Sequence, residues 1–132
     1  MKLRDAALML RAALDEAERM GVQVCVTIVD ATAWPVTFAR MDGVPLGVID
    51  VSHKKARTAA LFHMDSAEFA KVAHPNGEAY ALEATNGGLT SFGGGVVIRN
   101  AKGAILGGIG VSGASTEDDI SIARLAATTV RD

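Results

Sequence analysis

Apolar positions recur along the chain in two alternating rhythms. Leu3, Ala6, Ala7, Leu10, Leu14, Ala17 and Met20 repeat at helical spacing, with Arg4, Arg11, Glu18 and Arg19 off the stripe. Gly21 stands where a left-handed residue would end that helix. From Val22 to Val29 the period changes to two, with Val22, Val24, Val26 and Ile28 on one face and Gln23, Cys25, Thr27 and Val29 on the other. That is a strand. Asp30 to Pro35 reads as a turn, and Val36 to Met41 returns the chain as a hairpin closed by Asp42-Gly43.

A second helix is expected from about Leu46 to Met64. Spacing its residues about 100° apart places Val48, Val51, Ala59 and Phe62 on one stripe, with Lys55 at its centre and Thr58 at its margin. A lysine centred on an apolar face must reach out along its stem, meet an anion, or point into a cavity. His53 and His63 fall on another side with Ile49, Ala56 and Ala60, about 15 Å apart along the axis, too far to share a metal. Ser66 suggests the start of a short helix through Val72, and Glu78 to Ala84 another helical piece.

The run from Ser91 to Gly113 holds more than half of the fourteen glycines, yet two β-rich segments inside it read as strands. Val96 to Arg99 and Ala104 to Val111 flank the turn signal Asn100-Ala101-Lys102-Gly103. Strand glycines are costly unless a backbone or a ligand approaches them, so either a helix packs on this sheet or a small molecule lies against it. Ser115, Thr116 and the acids Glu117 to Asp119 then open a terminal helix marked by Ile120, Ala123, Ala127 and Val130. The helix dipole accounts for the acidic cluster. Helices before, between and after antiparallel strands argue an α+β domain, with residues 1–132 forming one unit.

Composition narrows the function classes. Half the residues are apolar, a fifth are charged, and the net charge is −2, so nothing electrostatic points to nucleic acid or an anionic membrane. The single cysteine, Cys25, excludes an internal disulfide and a multi-cysteine zinc site, and no metal-ligand spacing occurs. The charged amino terminus lacks a secretory h-region and no apolar run is long enough for a membrane span, so a cytoplasmic protein is expected.

Several segments together resemble the GlcG/HbpS-like family, which includes the C-terminal domain of PduO-type proteins. They are Val26 to Asp30, Arg40-Met41-Asp42-Gly43, Lys55-Ala56-Arg57-Thr58-Ala59, Gly93-Gly94-Gly95, Gly108 to Gly113 and Asp119 to Ala123. The resemblance implies a profilin-like α/β sandwich, an antiparallel sheet with helices packed on its faces. It further implies a homo-oligomer and, for some members, haem. The N-terminal helix has no histidine and the chain no Glu-x-x-Glu, which leaves His53, His63 and His74, with Met41 and Tyr80, as the haem-ligand candidates.

Two functions follow. In one, the protein binds haem or another flat organic ligand in a cleft between the second helix and the glycine-rich sheet, with Met41, Thr58, Gly93, Gly94, Gly95 and His74 lining it. In the other, it is a small catabolic enzyme without a cofactor or a metal, acting on an anionic or carbonyl-bearing metabolite. There Arg40 and Lys55 bind or polarise the substrate and Asp42 moves a proton. The second function needs those three side chains to converge on one solvent-reachable pocket.

Overall fold

The computed structural model describes residues 1–130. Four helices, a 3-10 turn and four strands follow in chain order: α1 (Leu3–Met20), β1 (Cys25–Asp30), β2 (Pro35–Arg40), α2 (Gly47–Phe62), α3 (Ser66–Val72), the turn Tyr80–Ala84, β3 (Gly95–Arg99), β4 (Ile105–Ser112) and α4 (Thr116–Ala127). The sheet order is β2-β1-β4-β3, antiparallel throughout. Helices α1 and α4 cover one face and α2 the other, giving the α+β sandwich the sequence pattern implied.

Strand alternation works as read. Val24, Val26 and Ile28 enter the main core with Ile98, Ile109 and Val111, under α1 and α4. Thr27 and Val29 point the other way, where Thr27 Oγ1 lies 2.9 Å from Ser52 Oγ of α2 and Val29 packs on Ala56 and Ala60. Asp30 holds the first hairpin turn, its carboxylate accepting from the Thr32 hydroxyl and from the Thr32 and Trp34 amides. These donors, the Thr32 hydroxyl foremost, hold its pKa below the ordinary carboxylate value. Asn100 does the same for the second turn through the Lys102 and Ala104 amides.

The expected stripes are buried in part: Ala6, Ala17, Lys55, Thr58 and Ala59 are buried, and Leu10, Leu14 and Met20 pack against the core. In α1 the buried face is centred on Ala6, Ala13 and Ala17 with Met9 beside them, while Leu3 is 65% exposed and Ala7 faces out. Ala7 lies about 100° round the helix from Ala6, too far to share its contact. In α2 the buried residues are Ser52, Lys55, Ala56, Thr58, Ala59 and Ala60, whereas Val48, Val51 and Phe62 are half-buried. Small side chains, not the bulkiest, mark where this helix touches the sheet.

The glycines explain that choice. A methyl on Gly110 would collide with the Ser52 carbonyl of α2, and one on Gly108 with the Ala56 carbonyl. Backbone meets backbone there, and only glycine permits it. Helix α2 therefore sits deep on β4, flanked by β1 and β3, and leaves the corresponding face of β2 uncovered.

At the other edge, α3 protects β3. Asp65 accepts from the Val97 amide at 3.0 Å and Ser66 Oγ from the Gly95 amide at 2.8 Å. The helix-starting residues thus satisfy outward-facing donors of an edge strand, a standard defence against edge-to-edge pairing. Ser66 serves in that role rather than as the cap of α3, which begins after Asp65.

Candidate functional site

The proposed convergence of Lys55, Arg40 and Asp42 is absent. Lys55 is fully buried under the sheet, where Nζ donates to the Val111 carbonyl at 2.8 Å and to Asp119 Oδ2 at 3.1 Å. The Phe92 ring lies 5.0 Å from the same ammonium. Asp119 Oδ1 in turn accepts from the Ala114 amide. Burial pushes the lysine pKa down and the aspartate pKa up, each opposed by the partner's charge. The arrangement is a closed internal ion pair tying α2 to the start of α4.

Arg40 and Asp42 are exposed at the far end of β2, and with Met41 they line a separate depression of about 410 Å³ against Glu18, Gly21, Val22 and Gln23. Met41 Sδ accepts the Val24 amide there.

The expected cleft between α2 and the glycine-rich sheet is closed. A methyl on Gly95 would strike the Lys55 carbonyl, one on Gly93 the Ile120 side chain, and one on Gly94 (φ +123°) would come 2.6 Å from Lys55 Nζ. Protein atoms therefore occupy the space reserved for a ligand. Thr58 is buried, donating to the Lys54 carbonyl at 2.7 Å and accepting the Thr90 amide at 3.0 Å, and so ties the loop before β3 to α2. His74 is exposed in a turn, with Nδ1 accepting the Asn76 amide. His63 is exposed too and ends α2 in a left-handed conformation, φ 58°.

An open site lies where α2 leaves β2 bare. Thr27, Pro35 and Phe38 form its floor, and Leu46, Ile49, Asp50 and His53 form the α2 wall, around about 530 Å³. Phe38 is paired with Thr27 and so shares its face of the sheet. Phe38 and Leu46 remain 45% and 70% exposed, an apolar patch of the kind that marks an interaction site. A second concavity of about 380 Å³ continues past Pro35 and His53 to Trp34, Arg57 and Asn86. His53 and Pro35 belong to both, so the two form one trough.

A haem pocket calls for apolar walls and an axial donor such as histidine. This trough has both, in the mainly apolar lining of its larger part and the His53 imidazole. Among the described residues no group of three or more His, Cys, Asp or Glu side chains is placed to hold a metal ion. Sequence reading placed His53 and Ile49 on one side of α2. It missed Phe38, whose signal was its place in the β2 alternation opposite Thr27, and Trp34, which was taken only as part of a turn.

Comparison with known proteins agrees with this architecture. The model of the haem degrading protein HbpS-like family matches residues 1–128, and the chain belongs to that family. The corrinoid adenosyltransferase PduO of Salmonella typhimurium is 34% identical over 127 residues, which are 96% of this chain and 38% of PduO. The chain thus spans little more than a third of that relative. Among solved structures, the PduOC–haem complex superposes with a TM-score of 0.92 at 33% identity, covering 98% of this chain and 94% of its own. HbpS superposes with a TM-score of 0.90 at 31% identity, covering 100% and 91%. Among the described residues, no helix is long and apolar enough to cross a membrane.

Proposed function

We propose that the protein binds haem, or a flat organic ligand of similar shape, in the trough between β2 and α2, where His53 would hold it. The observation that carries this reading is a single half-buried imidazole on the wall of a mainly apolar concavity of about 530 Å³. The haem complex of PduOC, a relative of the same fold, supports the choice of ligand. Bound haem would supply iron-centred redox or ligand-binding chemistry. The protein's part is to bury the apolar rim against Phe38, Leu46 and Ile49 and to present the imidazole. A homo-oligomer belongs to the same reading, because Phe38 and Leu46 leave apolar surface exposed beside the trough. The enzyme alternative has no support from geometry, since Lys55 does not share a pocket with Arg40 and Asp42.

Haemin titration tests the proposal. The expected result is a saturable one-to-one Soret shift, lost or strongly altered in His53→Ala and retained in His63→Ala and His74→Ala. A shift unchanged in His53→Ala, or no defined shift at all, would overturn it.

A further inference from the structure

We infer that the smaller end of the trough is an anion subsite, in which Arg57 recognises a carboxylate carried at one edge of the flat ligand. This rests on the trough being the ligand site and adds the class of ligand it takes: an apolar ring system bearing acidic substituents.

Three observations converge on Arg57. It follows His53 by one helical turn on the same side of α2, about 6 Å along the axis. Both line the smaller concavity, together with Trp34 and Asn86. The guanidinium is oriented by a hydrogen bond from Nη1 to the Asn86 carbonyl at 2.9 Å. Among the described residues Asn86 is one of three non-glycine residues in the left-handed region, φ 54°, a conformation asparagine tolerates, and there its carbonyl orients the arginine. One of the five guanidinium N–H donors is used in that way, and the others remain for a ligand.

The charge balance around the trough fits an incoming anion. The ion pairs among the described residues leave Arg57 without a carboxylate. Asp50, on the wall of the larger concavity, is taken by Lys54 at 2.9 Å. The Asp30 carboxylate is turned into its own hairpin by Thr32 and Trp34. A forked guanidinium pairs with a planar carboxylate in two parallel hydrogen bonds, a geometry a neutral ester cannot match. The larger concavity would hold the rings, His53 would stand at the junction, and the acid groups would project toward Arg57.

Metal-free deuteroporphyrin IX and its dimethyl ester separate this idea from the haem reading, because neither depends on an axial ligand. Porphyrin emission is followed on titration with the full chain. The free acid should bind tighter than the ester by about tenfold or more, the effect of one charge-assisted contact. Arg57→Met should bring the acid down to the affinity of the ester, and Arg57→Lys should recover part of the difference. The comparison on the unaltered protein needs no variant and stands even if Arg57→Met loosens the Asn86 loop. Equal affinity for acid and ester would overturn the anion subsite while leaving the apolar trough intact. Binding of neither porphyrin would overturn both.

Discussion

Lys55 and Asp119 form a buried ion pair, and their role is internal. Both are essentially out of water, and the direction of both pKa shifts shows burial working against the charged forms. An ion pair in that position contributes little beyond an apolar pair of equal volume, but removing one partner strands a buried charge. Lys55→Met or Asp119→Leu alone should destabilise the fold by about 3–5 kcal/mol. Lys55→Met combined with Asp119→Leu should recover most of that loss. Urea denaturation of the three variants measures this; additive losses in the double variant would show that the pair is not coupled. The lysine was visible in the sequence as a cation centred on an apolar stripe. Its partner was not, because three consecutive acids at a helix start satisfy the dipole equally well. Only the spacing of Asp119 from Ala123 and Ala126, on the buried face of α4, marks it as the inward one.

At the scale of elements, the glycine-rich strands shape the molecule by letting a helix approach the sheet closely. Gly108 and Gly110 lower α2 onto β4, and the position of α2 leaves β2 open. Of the two explanations for costly strand glycines, the close-packed helix is the one realised. Periodicity placed Val48, Val51, Ala59 and Phe62 around Lys55 on one stripe of α2, and of these Ala59 and Lys55 are buried. Close backbone approach instead selects Ser52, Ala56 and Ala60, and a pattern of large apolar residues cannot show that. Gly110→Ala should cost about 1–3 kcal/mol or more, since the obstructing atom is backbone and cannot swing aside. Gly47→Ala, with nothing near its Cβ position and no positive φ, should be neutral or stabilising by about 0.5–1 kcal/mol. Thermal denaturation compares the two, and similar midpoints would remove the close approach as the reason for the glycines.

For the whole molecule, the α+β order, the two hairpins and the face assignment of β1 could be read from periodicity because each is a local pattern. The trough could not. It forms from Phe38 on one strand, Leu46 and His53 on a helix seated by glycines some 60 residues later, and Trp34 in a turn, a meeting set by topology alone. Ligand binding thus depends on α2, the edge strand β2, the first hairpin and the loop that carries Asn86. Trp34 is the chain's single tryptophan, lines the smaller concavity and is 71% exposed. Haem quenches tryptophan across the whole breadth of so small a domain, so a charge placed on the trough floor, Phe38→Asp, tests occupancy more directly. A Soret change that saturates at one haemin per chain in the unaltered protein and is lost in folded Phe38→Asp is the predicted result. A full Soret change in folded Phe38→Asp would place the ligand elsewhere and contradict the proposed site.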